Sequence, residues 1–398
     1  MNNIPDVTLK AGREKSIRRR HPWIFSGAVA RVEGAPESGS TVRLVSPSHE
    51  FLAYAAWSPS SQIRLRTWSF DEQEKIDAVF IQKRVARSIE LRRQLGLLDK
   101  SGACRLVFSE SDGLPGLIVD RYGEYLVCQF LSAGGEYWRD AVVSALDELL
   151  SPRAIYERSE ASVRKKEGLE SRSGLLSGVA PSAPVEFAIG GMRQLVNIEQ
   201  GHKTGSYLDQ SINRQRVATY ATGGRVLDAY SYSGGFAISS LLHGAANATL
   251  IDSSADALSM AKQQAALNGI ADRTSYTNAN VPEELRRLRD SRQQFDLIIL
   301  DPPKFVSSAQ QVKSGCRGYK DINMLGLQLL KPGGILATFS CSGHVSSDLF
   351  QKIVAGAAVD VDRDVQIIER MSQGPDHPVG LQFPEAEYLK GLLLRVVT

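Results

Sequence analysis

The run Leu297-Ile-Ile-Leu-Asp-Pro-Pro-Lys-Phe305 ends an apolar stretch in a carboxylate and two prolines. Proline fixes φ and supplies no N–H, so the turn after Asp301 is stiff and holds that carboxylate at the mouth of a sheet. Turns of this kind can grip a planar base drawn out of its stack, which makes Pro302, Pro303 and Lys304 candidate base contacts and Phe305 a candidate stacking surface. A second apolar run ends in Phe339-Ser-Cys-Ser342 and brings a thiol, Cys341, to the same rim. C5 of cytosine is a poor nucleophile. Attack of a thiolate on C6 produces an enamine-like adduct that can accept a methyl group at C5, and loss of the C5 proton then releases the enzyme. Asp301 would steady the N3/N4 edge of the base, donating from a protonated or shared-proton state if it acts as the acid.

Upstream motifs suit a nucleoside-type ligand. Asp228-Ala-Tyr-Ser-Tyr-Ser-Gly-Gly-Phe236 follows a β-rich run, and Gly234 and Gly235 let backbone pass close to a ligand, so Tyr232, Ser233, Gly234, Gly235 and Phe236 join Asp228 as candidate cofactor contacts. The next run ends in Ile251-Asp252, a carboxylate placed for a ribose diol. A dinucleotide enzyme would use the same acid but would carry a stricter GxGxxG, which is missing here. Asn280 could meet an adenine edge. Lys203, Tyr207, Asp209 and Gln210 crowd beside glycines in 199–214, which reads equally as a loop over the cofactor mouth or as a solvated turn.

These motifs need a scaffold. With 398 residues, 42% hydrophobic and 23% charged, the chain is too long for one small core. It shows no run of about eighteen apolar residues and no secretory leader, so a cytoplasmic protein is expected. Four cysteines without CxxC or Cys/His spacing predict neither a metal site nor a disulfide framework. Cys104 and Cys128 are expected in the core, and Cys316 as a structural or loop residue. Residues 1–70 hold ten Lys/Arg against five Asp/Glu, with Arg13, Lys15, Arg18, Arg19 and Arg20 close together. Such a cluster suits RNA phosphates, with Arg18 and Arg19 as candidate contacts, or is simply a solvated face. Trp23 is expected to pack inside a small barrel rather than stack on a base.

Short alternating runs separated by Gly, Pro and Ser predict that barrel up to about residue 68. A helix over 74–95, strands near 104–108, 116–120, 125–130 and 154–158, and a helix near 137–150 predict a second α+β module, followed by a loop over 171–184. Beyond 185, strands at 225–229, 248–251, 274–277, 295–300 and 335–339 alternate with helices, as in a doubly wound, mostly parallel α/β sheet.

Several of these stretches, together with His21-Pro-Trp-Ile-Phe-Ser-Gly27, Asp112-Gly-Leu-Pro-Gly-Leu-Ile-Val-Asp-Arg-Tyr122, Glu157-Arg-Ser-Glu160, His202-Lys-Thr-Gly-Ser-Tyr-Leu-Asp-Gln210 and Cys316-Arg-Gly-Tyr-Lys-Asp-Ile-Asn323, give the chain a family likeness. Over nearly its full length it resembles the bacterial ribosomal RNA large subunit methyltransferase I family, 23S rRNA cytosine-C5 methyltransferases. The resemblance implies an N-terminal β-barrel-like PUA RNA-binding domain (1–73), a central α+β domain (74–184) and a Rossmann-like class I methyltransferase domain (185–398). It implies S-adenosyl-L-methionine as cofactor, 23S rRNA as partner and Cys341 as nucleophile. Two departures stand out: Asn280 replaces an acid common in related enzymes, and no cysteine adjoins the Asp301-Pro-Pro turn. The sequence leaves a homodimer open. Competing readings are guanine or adenine N-methylation, which needs no thiol, a non-catalytic RNA-binding ribosome-assembly factor, and a small-molecule methyltransferase.

Overall fold

The computed structural model describes residues 4–160, 162–199 and 204–397. The chain forms two compact units: Met1–Phe187 with Val196–Leu208 and Pro375–Ala386, and Ala188–Leu195 with Asp209–Gly374 and Glu387–Thr398.

In the first unit, β1 (Asp6–Leu9), β2 (Trp23–Phe25), β3 (Val29–Val32), β4 (Thr41–Val45), β5 (Phe51–Trp57) and β6 (Ile63–Ser69) form a six-stranded sheet in the order β2-β6-β5-β4-β1-β3, with the one-turn helix α1 (Lys15–Arg18) after β1. Period-two patterning places Val42 and Leu44 in its core while Thr41 and Arg43 stay half-exposed. Next come α2 (Ala78–Gln94), capped where Asp77 accepts from the Phe80 N–H at 3.1 Å, and a second sheet ordered β11-β10-β9-β8-β7. Its strands are β7 (Ala103–Phe108), β8 (Leu117–Tyr122), β9 (Tyr125–Phe130), β10 (Ala154–Ser159) and β11 (Arg172–Gly178), with α3 (Ala133–Tyr137), α4 (Arg139–Leu150) and α5 (Ser162–Lys166) between them. Cys104 and Cys128 are buried here, as expected.

Three expectations shift in this unit. Much of the loop expected over 171–184 is β11, an edge strand that pairs antiparallel with β10. Its mostly exposed face carries no apolar alternation to reveal it. Ala56 and Trp68 share one core with Phe80, Val85, Leu106 and Phe130, so the first two sheets do not have wholly separate interiors. Trp23 is only half-buried. Its indole N–H donates to Glu110 at 2.7 Å and its ring meets Phe383 edge-on, rather than filling the barrel.

Arg92 is fully buried on α2. It forms a two-pronged pair with Asp112 (2.7 and 2.8 Å) and also donates to the carbonyls of Arg105 and Asp376, both at 2.8 Å. The second unit begins near the hairpin of β12 (Val185–Ile189) and β13 (Met192–Val196) and is dominated by a seven-stranded sheet, β16-β15-β14-β17-β18-β20-β19. Its strands are β14 (Arg225–Ala229), β15 (Asn247–Asp252), β16 (Thr274–Asn278), β17 (Phe295–Leu300), β18 (Leu330–Ser340), β19 (Val365–Met371) and β20 (Lys390–Val396). The first five are parallel, while β20 runs antiparallel to both of its neighbours. Helices α6 (Ser211–Ala218), α7 (Gly235–Leu242), α8 (Ala255–Leu267), α9 (Val281–Asp290), α10 (Val312–Leu329) and α11 (Ser347–Asp360) accompany it. Successive β17 residues serve opposite faces: Leu297 and Ile299 join the core that includes α7 and α8, and Ile298 and Leu300 the core that includes α9, α10 and α11. Cys316 lies on α10 and packs against the second of these cores, a structural residue rather than a loop residue.

Removing one partner of a buried ion pair leaves an uncompensated charge, at a cost of about 3–5 kcal/mol. Asp112→Ala should therefore lower unfolding free energy by that order, read from the urea midpoint of the far-UV CD transition. A midpoint equal to the wild-type value would show that Arg92 is held without its carboxylate.

Candidate active site

In an open parallel sheet, ligands gather outside the carboxyl ends of the strands, at the point where strand order reverses. Here that point lies at β14, which pairs with β15 on one side and β17 on the other. Ala229 stands opposite Leu300, and Leu300 opposite Thr338, so the segments after β14, β17 and β18 leave the sheet side by side.

After β14 the backbone takes positive φ at Tyr230 (63°), Tyr232 (48°) and Gly234 (80°). Side chains rarely adopt this region, and such strain clusters at ligand sites. Hydrogen bonds hold the loop: Ser231 N to Ile251 O (3.0 Å), Tyr232 N to Asp252 Oδ2 (2.8 Å) and Gly234 N to Ser231 O (2.8 Å). The glycines answer to the protein's own packing. A Cβ on Gly234 would lie 2.8 Å from Leu250 Cδ2, and one on Gly235 would lie 2.6 Å from Arg214 Nε. The Phe236 ring is buried and tilted against Phe339, so its side chain belongs to the core.

Asp228 is buried, and its Oδ2 accepts the Ala237 N–H at 2.9 Å. Burial, reinforced by the nearby carboxylates of Asp301 and Asp252, pushes its pKa up to about 7, against the pull of the Ala237 N–H and Arg214. Asp252 accepts from the N–H groups of Tyr232 and Ser254 (2.8 and 2.9 Å) and keeps further lone pairs for a diol. Asn280 is exposed and caps α9, accepting from the Glu283 N–H at 3.3 Å, so the oxygen expected at an adenine edge is already used as a helix cap. Lys203 lies outside the described residues. Three converging carboxylates, with a buried Asp228 Oδ1 and Ser231 Oγ that have no hydrogen-bond partner among the described residues, fit a ligand that brings hydroxyls and a positive charge, as S-adenosylmethionine does.

Asp301 is half-buried and linked to a chain of amides. Asn213 Nδ2 donates to Ser372 O (3.0 Å) and to Gln210 Oε1 (2.7 Å), which turns Gln210 Nε2 onto Asp301 Oδ2 (3.0 Å). Asp209, also buried, accepts from the Tyr388 hydroxyl at 2.5 Å. The residues 209 and 210 that could have been a solvated turn are thus part of the built interior. Pro302 is buried while Pro303 and Lys304 are exposed. Phe305 is half-buried, edge-on to Tyr230 and tilted against Tyr319 (4.8 Å between centroids), so much of its ring is committed to aromatic packing. Cys341, just past β18, is half-exposed. Its neighbour Ser342 is buried, and the Ser342 hydroxyl accepts the Val306 N–H (3.2 Å) and meets the Tyr319 hydroxyl (2.9 Å). Asn213, Arg214, Tyr319 and Tyr388 were not among the expected site residues. The first three lie inside motifs already marked by their crowding or likeness, whereas nothing near Tyr388 signals a role.

In the other unit, Arg18 forms an exposed two-pronged pair with Glu50 (3.1 and 2.6 Å), whereas Arg19 lines a surface cavity of ≈ 910 Å³ with Arg13, Lys15, Trp23 and the exposed Phe25. Among the described residues, no group of three His, Cys, Asp or Glu could hold a metal ion, and no helix is long and apolar enough to cross a membrane.

Comparison with known proteins matches residues 7–70 to a PUA-like domain and 160–395 to the S-adenosylmethionine-dependent methyltransferase family. Ribosomal RNA large subunit methyltransferase I of Erwinia tasmaniensis is 51% identical over 392 residues, covering 98% of this chain and 99% of the relative. The protein of that name from Klebsiella pneumoniae strain 342 is 50% identical over 395 residues, covering 99% of each. Among solved structures, a candidate SAM-dependent methyltransferase from Streptococcus mutans superposes with a TM-score of 0.84 at 20% identity, and a candidate methyltransferase complexed with SAH with 0.86 at 20%. Both cover 99% of this chain and all of the other, and they show the fold.

The unfolded chain ionises an aspartate near pH 4, so the folded state disfavours ionised Asp228 increasingly between about pH 4 and 7. A cationic ligand reverses that preference. Affinity for S-adenosylmethionine, measured calorimetrically without RNA, should rise with pH by up to about tenfold per unit below pH 7 and then level off. Asp228→Asn should bind more weakly with a flat profile; an unaltered slope in that variant would remove Asp228 from the cofactor site.

Proposed function

Because this chain belongs to the S-adenosylmethionine-dependent methyltransferases, within the ribosomal RNA large subunit methyltransferase I family, we propose that it methylates C5 of a specific cytosine in 23S rRNA through a covalent bond between Cys341 and C6. The observation that carries this reading is the placement of Cys341: half-exposed at the carboxyl rim, one strand away from Asp301, with both turns tied to the Ser342 hydroxyl. A thiol kept only for packing would not need that rim position. An exocyclic amine already has a nucleophilic lone pair and would give the thiol no task.

Asp228, Asp252 and the loop Tyr232–Gly235 would hold S-adenosylmethionine, which supplies an electrophilic methyl group. Cys341 adds its thiolate to C6, forming the S–C6 bond and moving the C5=C6 electron pair to C5. Asp301, oriented by Gln210, accepts from the cytosine N4 amino group and fixes the ring against the rigid Pro302-Pro303 turn. Once C5 carries the methyl group, its proton departs to a base. The C5=C6 bond re-forms and the Cys341 thiolate leaves. Lys304 and Pro303 are the exposed part of the turn available to the flipped nucleotide.

We assign residues 1–73 to RNA capture, with 74–184 supporting it, and place the protein in the cytoplasm, where ribosomes are assembled. The basic groups lining the cavity, Arg13, Lys15 and Arg19, supply phosphate contacts that position RNA without selecting sequence. Arg18, already paired with Glu50, contributes less than Arg19.

Cys341→Ala should abolish transfer of label from S-adenosylmethionine to rRNA while cofactor affinity stays within about twofold. Mass spectrometric nucleoside mapping should locate 5-methylcytidine in the wild-type product, and a methylated purine there would reject the cytosine assignment. Separately, Arg19→Glu should weaken RNA binding and reduce the slope of log K against log salt by roughly 0.7–0.9. A slope matching wild type would assign phosphate contact to another face.

A further inference from the structure

We propose that Lys390 is a positioning residue for the nucleophile, its ammonium holding Cys341 as the thiolate that attacks the base. The inference rests on the reading of Cys341 as nucleophile and concerns how that sulfur is made reactive.

Lys390 opens β20 and pairs in register with Ser340, the residue before Cys341. Its Nζ donates to the carbonyl of Ser342, the residue after Cys341, at 2.9 Å. Its main chain thus meets the residue before the cysteine and its ammonium the residue after it. It is 7% exposed, and this acceptor is a neutral carbonyl rather than a carboxylate. Burying a cation against a neutral oxygen is costly unless an anion stands close by. The charged groups around it are Cys341 and Glu387, which favour the ammonium, and Lys304, which opposes it, while burial draws its pKa down. The Tyr319 hydroxyl meets that of Ser342, and its ionisation is disfavoured by burial and by Cys341. Lys390 is thus a buried cation close to the thiol. Cations beside cysteines lower thiol pKa and so raise the fraction of reactive anion at neutral pH.

A purely structural role would consist of the bond to Ser342 O, which shapes the turn. Lys390→Gln keeps an N–H donor and removes the charge; Lys390→Arg keeps the charge. Peptide-resolved alkylation with iodoacetamide across pH should show Cys341 titrating about one unit or more higher in Lys390→Gln than in wild type, with Lys390→Arg close to wild type. The acidic limb of kcat/KM against pH should move by the same amount, a loss of roughly tenfold at pH 7. Identical Cys341 titration in wild type and folded Lys390→Gln would overturn the proposal. If the glutamine variant does not fold, the reciprocal measurement decides. By linkage, Cys341→Ser should lower the pKa of Lys390, read from pH-dependent acylation of its peptide, and an unmoved Lys390 would overturn the inference equally. Persistent RNA methylation by Cys341→Ala would instead reject the nucleophile reading, and it is distinguishable because the thiol titration needs no turnover.

Discussion

Main-chain register between three parallel strands is the constraint on which the site depends. Ala229 faces Leu300 and Leu300 faces Thr338, so a ligand loop, a carboxylate turn and a thiol turn leave one edge at fixed offsets. The register is protected by side chains. Leu297 and Ile299 fill one core and Ile298 and Leu300 the other, each with its own helix layer, and a slip by one residue would exchange the two sets. Geometry at the rim is thus enforced from the middle of the sheet.

On that foundation the rim is built from unfavourable pieces held by specific bonds. Two tyrosines in left-handed conformation and a buried aspartate with a raised pKa each destabilise the fold locally. Backbone N–H groups aimed at Asp252 and Asp228 compensate in part, as does the amide relay from Ser372 through Asn213 and Gln210 to Asp301. A single hydroxyl does much of the alignment. Ser342 receives the Val306 N–H from the turn after Asp301 and meets Tyr319 from α10, while its carbonyl receives Lys390. Displacing that residue would move both the carboxylate turn and the thiol turn.

How much of this was legible follows from what each residue type can signal. Parallel strands buried on both faces write themselves as apolar runs, and the core strands β14, β15 and β17 lie within a residue or so of where those runs predict them. Asp228, Asp252, Asp301 and Cys341 stand at strand ends, where chain position alone suggests a role. Asn280 and Phe236 share that neighbourhood, yet one caps a helix and the other packs against Phe339, because local position cannot tell which way a side chain turns. Edge strand β11 escaped notice since pairing on one side needs only main-chain atoms. Arg18 looked like its neighbours until Glu50, far along the chain, claimed it.

Lys390 and Tyr388 were the least legible of all, and topology supplies the reason. A parallel sheet delivers only the carboxyl ends of its strands to the rim where chemistry occurs. An antiparallel strand brings its amino end to that same edge, and β20 is antiparallel to β18. Residues just before and at its start therefore arrive at the rim although they follow no strand: Tyr388 bonds Asp209, and Lys390 bonds the carbonyl beside Cys341. The rule that sends attention to residues after strands passes over them by construction. The reversed strand is thus the element through which this sheet can place a cation against a group that its parallel strands present, so the sense of β20 carries chemical as well as architectural meaning.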